Sequence, residues 1–372
     1  MIQQDRELEE LKDLENEKKN VVDEASSDDT SAPQTYNISS YGADFDVDGL
    51  VKRLSRGDIL IPSFQREYVW NLSDASRFVE SLLLGLPVPG IFLAKESDSN
   101  KSLVIDGQQR LKSLQFFYEG YFNPKKDQKA RRVFRLKSVQ PQFENKTYDT
   151  LDESDKIRLN DSIIHATIIK QESPEGDDTS VYHVFERLNT GGRKLTPQEI
   201  RAAIYHGLLI QMLSNLNSYQ DWRRIFSTES NRLKDQELIL RFLALYQSHK
   251  TYIKPISEFL NKYNKVNRNP SIEFVTQYSN LFKETISYFY SALGTEAFRP
   301  ERALNAAVFD SMMVGLANRI ESGSNISVEQ VEQAYKNLIS DEAYKSKVSE
   351  STSDTERVKE RIALAIKYFK EI

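Results

Sequence analysis

The 372-residue sequence contains no cysteine. Disulfide scaffolds, cysteine-ligated zinc or iron–sulfur sites and thiol catalysis are therefore excluded. The sequence also lacks a long apolar run: the longest, residues 81–94, is interrupted by Pro87 and Pro89 and is shorter than the ~20 residues that span a bilayer. The first residues contain no apolar signal segment, so we expect a soluble cytoplasmic protein without a membrane partner.

The charge is unevenly distributed along the chain. The formal net charge is −5, but residues 1–31 carry eleven acidic and four basic side chains, so the remainder is nearly neutral. Leu8, Leu11 and Leu14 predict a short amphipathic helix within residues 4–22, and residues 23–35 have the composition of a flexible linker. We expect this acidic segment to be mobile or to dock on a basic patch.

A basic run at residues 125–137 carries seven Lys or Arg and one Asp. It is a candidate docking surface for the acidic segment and a candidate contact for nucleic acid. The alternative is an ordinary solvated face, which is the more common origin of such a run.

The pattern of apolar residues divides the chain into three parts. Hydrophobic residues make up 39% and charged residues 28%, as in a globular protein of two or three domains. Strands alternate with helices up to about residue 199, and the chain beyond is predicted to be helical. The longest predicted helices cover residues 236–246, 272–292, 303–319, 327–339 and 355–370. We predict an α+β protein with an N-terminal helix and linker (1–37), a mixed α/β head (38–199) and an α-helical domain (200–372).

The first informative segment is residues 61–70, which precede a predicted helix. Ser73 is the expected N-cap of this helix and Gly85 its C-terminal stop. The apolar face of the helix is formed by Phe78, Val79, Leu82 and Leu83. Residues 88–94 then predict a buried strand. The sequence contains no Gly-Lys-Ser/Thr phosphate loop, so phosphate binding requires another cradle.

The second segment is an apolar strand that ends at Asp106 and Gly107 and is followed by a helix up to Gly120. The side chains predicted to face the core are Leu111, Leu114 and Phe117. A strand–glycine–helix junction directs backbone N–H groups toward one point, which makes a natural anion site. Arg110 lies in the first helical turn, where the helix dipole disfavours a cation. Two interpretations remain open: phosphate binding, or a simple turn with Arg110 paired to a nearby acid.

The third segment, residues 184–201, combines a helix start with a glycine loop. Thr196 and Glu199 predict a capping box. Gly191 and Gly192 form a loop whose backbone can approach a ligand closely. Asn189 and this glycine pair are candidates to face the same ligand as the second segment, while a well-capped helix is the purely structural alternative.

Together, the three segments resemble the N-terminal domain family of the GmrSD-type modification-dependent restriction enzymes, a relative of the ParB/sulfiredoxin fold. The matching motifs are Pro-x-Phe-Gln-Arg-x-Tyr-Val-Trp at residues 62–70, Asp-Gly-Gln-Gln-Arg at 106–110 and Arg-Leu-Asn-x-Gly-Gly-x-x-Leu at 187–195. The resemblance covers roughly residues 40–320. It implies a ParB/sulfiredoxin-like head in a prokaryotic antiviral restriction system that acts on foreign or modified DNA.

The similarity to ParB nucleotide-binding domains implies a site for a nucleoside triphosphate and Mg²⁺. The residues that it assigns to nucleotide binding are Gln65, Gly107, Gln108, Asn189, Gly191 and Gly192. Those that it assigns to catalysis are Asp106, Gln109, Arg110 and Arg66, with Asp106 and Asn189 as metal ligands. Gln108 replaces the glutamate that binds Mg²⁺ in ParB proteins, and a neutral amide is a poorer ligand for a hard cation. The same similarity to ParB domains predicts that Arg66, Arg110 and Asn189 converge on one pocket.

The resemblance implies an NTP-binding and NTP-hydrolysing module, with DNA, a separate nuclease and a second copy of the chain as candidate partners. The alternatives are a nucleotide-responsive DNA-binding clamp without turnover, or a nuclease that acts on DNA or RNA. The four histidines do not fit a histidine–asparagine–histidine nuclease. Arg201 and His206 match an Arg-x4-His ribonuclease pattern, but residues five apart lie about 140° around a helix. His165, within a predicted strand at residues 161–169, is expected to be buried.

Overall fold

The computed structural model describes residues 21–23, 37–61, 68–95, 101–124, 131–173, 184, 196–227, 230, 232–323 and 325–372. These residues divide into two compact units. The helical unit combines Val21–Asp23, of which Val21–Val22 form strand β1, with the described residues after 195. The sheet unit is formed by the described residues between 35 and 194.

The sheet unit is built on a mixed five-stranded sheet. Its strands are β2 (Asn37–Asp46), β3 (Ile59–Leu60), β4 (Ile91–Lys95), β5 (Ser102–Asp106) and β6 (Ile163–Ser173). Its helices are α1 (Val47–Arg56), α2 (Leu72–Leu83), α3 (Gln108–Glu119) and α4 (Glu153–Asn160). The strand order is β2–β6–β4–β5–β3. The β2–β6 and β4–β5 pairs are antiparallel, whereas β4–β6 and β3–β5 are parallel.

The core of the sheet unit lies between one face of the sheet and its helices. The strands contribute Ile91, Leu93, Val104, Ile164 and Ala166 to this core. The apolar faces predicted for α2 and α3 are both buried against it, and Leu111, Leu114 and Phe117 are completely buried. The 3.6-residue spacing of the apolar side chains therefore identified both helices and their inward faces.

The start of α2 differs from the prediction by two residues. Asn71, rather than Ser73, is the N-cap: its Oδ1 accepts a hydrogen bond from the Asp74 N–H at 2.9 Å, and the Asp74 carboxylate accepts one from the Asn71 N–H at 3.4 Å. A cap at Ser73 has Ser76 three residues later, which cannot reciprocate as the carboxylate of Asp74 does. Gly85 follows the helix in a left-handed conformation, as expected for a C-terminal stop.

Two predicted strands have different limits in the structure. The strand predicted at residues 88–94 is Ile91–Lys95, preceded by Pro89 and Gly90, and Pro89 cannot donate to a strand ladder. The strand predicted at residues 161–169 is Ile163–Ser173. Asp161 instead terminates α4, where its N–H donates to the Ile157 carbonyl at 2.9 Å.

The helical unit confirms a largely helical C-terminal region, and the fold class is α+β as predicted. Its first helices are α5 (Pro197–Ile204), α6 (Leu208–Asn217), α7 (Gln220–Phe226), α8 (Lys234–Ser248), α9 (Ile256–Val266) and α10 (Ile272–Leu293). Strand β7 (Leu304–Asn305) is followed by α11 (Ala306–Glu321), α12 (Val328–Ser340), α13 (Glu342–Ser349) and α14 (Thr355–Lys370). Short 3₁₀ turns lie at His249–Thr251 and Gly294–Glu296. Over the described ranges, none of these helices has both the length and the apolarity to cross a bilayer.

The helix predicted from residue 303 begins only at Ala306. Leu304 and Asn305 form β7, and the Asn305 Oδ1 accepts hydrogen bonds from the N–H groups of Ala307 and Val308 at 2.9 and 3.0 Å. An asparagine that satisfies two first-turn N–H groups fixes the helix start.

The N-terminal prediction is wrong at Val21–Asp23. Val21 and Val22 are not helical; they pair in parallel with Leu304 and Asn305 of β7, and Val21 is buried. Asp23 is not part of a flexible linker. Its carboxylate is 7% exposed and forms ion pairs with Lys234 and with Arg241 Nη1, the latter at 2.9 Å. Leu8, Leu11 and Leu14 lie outside the described residues.

Asp23 belongs to a buried charge cluster in the helical unit, which we define as Asp23, Arg201, Lys234, Glu237, Arg241, Asp310 and Arg361. The cluster connects β1 with α5, α8, α11 and α14. Burial raises the pKa of Asp23, but the attraction of Arg241 and Lys234 is larger and holds the pKa well below its usual range. The pKa of Glu237 is lowered in the same way by Lys234 and Arg201, against its burial. These carboxylates are therefore ionised and paired inside the helical unit.

Candidate functional site

The predicted strand–glycine–helix junction is present in the sheet unit. Strand β5 ends at Asp106, and α3 begins at Gln108. Gly107 has a φ of 100°, a left-handed conformation that side chains rarely adopt, and an added Cβ would lie 2.4 Å from the Ile91 Cγ2. Only glycine fits this position. Because first-turn N–H groups of an α-helix have no intrahelical acceptor, they form an electropositive end at this junction.

Asp106 and Arg110 form an ion pair across this junction. The Arg110 Nη2 lies 2.6 Å from the Asp106 Oδ2, with the guanidinium side chain 14% exposed and the carboxylate side chain 56% exposed. The nearby acid that the sequence left open as a partner is therefore Asp106. Within the described residues, this hydrogen bond uses one of the five N–H donors of the guanidinium. The remaining donors and the electropositive helix end can address the same anion.

A shift in the pairing register of β4 and β5 turns the Asp106 side chain away from the core. Strict alternation along β5 would place Asp106 on the same face as Val104, which is buried in the core. The pairing shifts between Phe92 and Leu93, so that Leu93 faces Val104 while Phe92 pairs with Asp106. Irregularities of this type redirect a side chain. They put Asp106 on the sheet face opposite the core, and nothing in the apolar pattern of the sequence revealed this.

Gln109 connects the motif at residues 62–70 to the motif at residues 106–110 by hydrogen bonds. Its Oε1 accepts hydrogen bonds from the backbone N–H groups of Val69 and Trp70, at 3.0 and 3.3 Å. The catalytic role predicted for Gln109 would thus depend on its amide nitrogen, because the side-chain carbonyl already accepts two backbone hydrogen bonds. Gln65 and Arg66 lie outside the described residues, and their convergence on Arg110 stays a prediction.

Tyr68 adds a second connection that the sequence did not suggest. Its buried hydroxyl lies 2.6 Å from the Ser113 Oγ, which donates to the Gln109 carbonyl at 2.7 Å. Burial raises the pKa of Tyr68 to about 12, so the hydroxyl is a neutral donor. The only signal in the sequence is that Ser113 follows Gln109 by one helical turn, within the buried side of α3.

Gln108, the departure from the ParB pattern, is 8% exposed. An ionised glutamate at this buried position would require a compensating partner. Over the described ranges, no three His, Asp or Glu side chains are grouped closely enough to hold a metal ion. Asp106 therefore remains a predicted Mg²⁺ ligand, and phosphate oxygens of the nucleotide would supply further ligands.

The third segment is described at Val184 and from Thr196 onward. The capping box is confirmed: the Thr196 N–H donates to the Glu199 Oε2 at 2.6 Å, and the Glu199 N–H donates to the Thr196 Oγ1 at 3.2 Å. Glu199 also pairs with Arg232, at 3.3 Å. Asn189, Gly191 and Gly192 lie outside the described residues.

The histidine predictions are corrected by the structure. His165 is not buried: its side chain is 60% exposed, and its Nδ1 lies 2.7 Å from the Asp44 Oδ1. It occupies the sheet face opposite the core, between Ile164 and Ala166, which point into the core.

Arg201 and His206 do not form an exposed catalytic pair. Arg201 is 1% exposed and is held by Gln198 and Glu237. His206 lies beyond the end of α5, near the Ala203 carbonyl and the Arg268 guanidinium. The ribonuclease pattern is therefore a coincidence of spacing.

The basic run is partly described. Arg131, Arg132, Arg135 and Lys137 are all exposed, whereas Phe134 and Leu136 between them are completely buried. The alternation groups Arg131, Arg135 and Lys137 on the exposed side of this segment, and Arg132 is exposed as well. Both interpretations of the run, solvated face and nucleic-acid contact, need such a surface.

Comparison with known proteins finds a family model that matches part of the chain. Residues 47–206 match the family model described as GmrSD restriction endonuclease, N-terminal domain. No curated protein sequence matches the chain. The matched range contains the whole of the Asp106–Arg110 junction and all of α5.

Proposed function

Since residues 47–206 belong to the GmrSD restriction endonuclease N-terminal domain family, we propose that this chain is the nucleoside-triphosphate-binding and -hydrolysing component of a restriction system that acts on foreign or modified DNA. The observation that carries the nucleotide assignment is the junction at Gly107. It joins an obligatory glycine, an electropositive helix end and a positioned arginine at one edge of the sheet.

The triphosphate is assigned to the N-terminal end of α3. Backbone N–H groups of the first turn bind phosphate oxygens, as at other helix N-termini. Arg110 neutralises the charge that develops on the transferred phosphate, where such contacts have their largest effect on rate. Asp106 holds Arg110 in place before the nucleotide binds.

Mg²⁺ fits this edge of the sheet through Asp106. The Asp106 Oδ2 accepts from Arg110, while the side chain is more than half exposed to solvent. Mg²⁺ keeps several waters and takes one or two carboxylates together with substrate phosphates, so one exposed carboxylate is a sufficient protein ligand. When bound, the ion would neutralise phosphate charge. Asn189, Arg66 and the glycine pair complete the site only by resemblance.

DNA is assigned to the basic surface of Arg131, Arg132, Arg135 and Lys137. Neighbouring exposed cations attract a phosphate backbone without reading its sequence. A separate nuclease would then supply cleavage.

Equilibrium binding of each ribonucleoside triphosphate with Mg²⁺, followed by phosphate release with and without DNA, tests the proposal. Arg110→Ala should weaken binding about tenfold or more, because a hydrogen bond to a charged group contributes about 1.5–3 kcal/mol. Turnover should fall by about 10²–10³-fold. Arg56→Ala is the matched control, since it removes an exposed arginine paired with Asp58 at 2.9 Å in the same unit. Wild-type binding and turnover by Arg110→Ala would refute the site.

A clamp that binds nucleotide and DNA without turnover is the second candidate. The commitment of the Gln109 carbonyl to Val69 and Trp70 favours it, because that oxygen is then withheld from an attacking water. Nucleotide binding that changes DNA affinity without phosphate release at any DNA concentration would identify the clamp.

A further inference from the structure

Asp44 and His165 form an exposed dyad on the sheet face opposite the core. They are direct partners in the antiparallel β2–β6 ladder, and their flanking partners, Phe45 with Ile164 and Ala43 with Ala166, point to the core side. The dyad therefore projects from the other face. Both side chains are more than half exposed, so a ligand can reach them.

The same face carries Asp106. Thr167 of β6 pairs with Phe92 of β4, and Phe92 pairs with Asp106 of β5. His165 lies two residues from Thr167, on the side of β6 that corresponds to the Gly107 end of β5. Strand spacings of about 4.8 Å and a rise of about 3.3 Å per residue put the Cα atoms of His165 and Gly107 about 10 Å apart. The two segments are therefore neighbours at this end of the sheet.

The residue nearest His165 on the neighbouring segment has no side chain. The residue beside His165 there is Gly90, and a Cβ added to it would lie 2.7 Å from the His165 carbonyl oxygen. On the other side of His165, a Cβ at Gly42 would lie 2.7 Å from the ring Cε1 and 3.1 Å from Nε2. The His165 imidazole thus lies on a part of the sheet surface where Gly42 and Gly90, which have no side chains, leave room for it.

Asp44 determines which nitrogen of His165 faces a substrate. The Nδ1 lies 2.7 Å from the Asp44 Oδ1. Because a carboxylate can only accept, this contact favours the tautomer with the proton on Nδ1, which leaves Nε2 to accept a proton from a substrate. A histidine oriented by a carboxylate in this way is the arrangement of a general base. An exposed cross-strand pair that served stability alone would contribute little, typically under about 1 kcal/mol.

We propose that His165, oriented by Asp44, is the general base that activates water for hydrolysis of the nucleotide held at Gly107 and Arg110. The proposal rests on the proposed function and adds the residue that performs the proton transfer. Water attacks the γ-phosphorus and a new P–O bond forms, while the bond to the β,γ-bridging oxygen breaks and its electron pair stays on the nucleoside diphosphate. The water proton passes to His165 Nε2 and then to solvent, leaving orthophosphate.

Three variants separate this role from a structural one. His165→Ala removes the base, Asp44→Asn removes the carboxylate that fixes the tautomer, and Gly42→Ala leaves both residues in place while its methyl group displaces the ring. Lys52→Ala is the control, because it breaks an exposed ion pair with Asp48 on α1, away from the dyad. All four are measured as full-length protein for Mg²⁺–nucleotide affinity and, separately, for phosphate release at saturating nucleotide.

We expect His165→Ala to lower turnover by about 10²–10⁴-fold, the usual contribution of a general base. Nucleotide affinity should stay within about twofold, Gly42→Ala should lower turnover in the same direction, and Lys52→Ala should match wild type. A His165→Ala or Gly42→Ala variant that binds and hydrolyses like wild type overturns the proposal. Wild-type protein that binds nucleotide without hydrolysing it also overturns the proposal, while the binding site stands. If Arg110→Ala retains full affinity and turnover while His165→Ala loses turnover, the Arg110 site is wrong and the base is supported.

Discussion

Asp23→Ala should destabilise the helical unit although Asp23 lies in an acidic segment. The substitution removes one carboxylate from Arg241, which is buried, and from Lys234, whose side chain is 19% exposed. Breaking a buried ion pair costs about 3–5 kcal/mol. Lys234 keeps Glu237 at 2.8 Å and Arg241 keeps Asp310 at 3.1 Å, so we expect the lower end, about 3 kcal/mol. For a unit of this size that corresponds to a Tm lower by roughly 6–12 °C.

The assay must report on the helical unit alone. Trp222 is buried there, and the second tryptophan, Trp70, belongs to the sheet unit, so Trp222 fluorescence in a Trp70→Phe background follows the relevant transition. Glu332→Ala is the control, because it breaks an exposed pair with Lys336 and should cost less than about 0.5 kcal/mol. A Tm within 1–2 °C of the parent for Asp23→Ala would show that Asp23 contributes no net stability.

The effect of Asp23 has a defined pH dependence. The pKa of this carboxyl is lower in the folded state than in the unfolded chain, so its contribution is complete above about pH 4, the ordinary aspartate value. It is lost as the pH falls through the folded-state pKa. The Tm difference between the parent and Asp23→Ala should therefore be constant near neutrality and shrink below about pH 4. A difference that grows toward low pH would contradict the ion-pair explanation.

Two further predictions concern the junction. Gly107→Ala should lower the free energy of unfolding by roughly 1–3 kcal/mol and abolish most nucleotide affinity. Gly107 has a left-handed conformation, and the added methyl group would collide with Ile91. Chemical denaturation measures the first loss and nucleotide titration the second. The double variant Arg66→Ala, Arg110→Ala should have a turnover little lower than that of the worse single variant, because the effects of two groups that act on one transition state do not add. If the two losses of turnover multiply in full, Arg66 acts elsewhere.

The sequence was sufficient to predict those elements that are determined by residues close together in the chain. The apolar spacing of α3 and the glycines at both of its ends gave its limits, and the Thr196–Glu199 spacing gave a capping box that the structure confirms. What it could not provide depends on pairing between distant segments. The register shift that redirects Asp106 is a property of two strands, not of the β5 sequence.

The errors have the same physical origin. His165 was expected to be buried because the strand around it is rich in isoleucine, but a strand that faces a core on one side exposes alternate residues. Asp23 looked like part of a solvated linker because its local composition is acidic. Its partners, Lys234 and Arg241, come more than 200 residues later, and a local window cannot detect them.

The pairing of Val21–Asp23 with the helical unit has a consequence for synthesis on the ribosome. Asp23 precedes Arg241 by 218 residues, and Leu304, the partner of Val21, comes later still. At roughly 5–20 residues per second, Asp23 leaves the ribosome about 10–45 s before Arg241 does. The described strands of the sheet unit all lie within residues 37–173, so their pairing can be complete during that interval. The helical unit can therefore be completed only when Arg241 and Leu304 have followed a segment that was translated long before them.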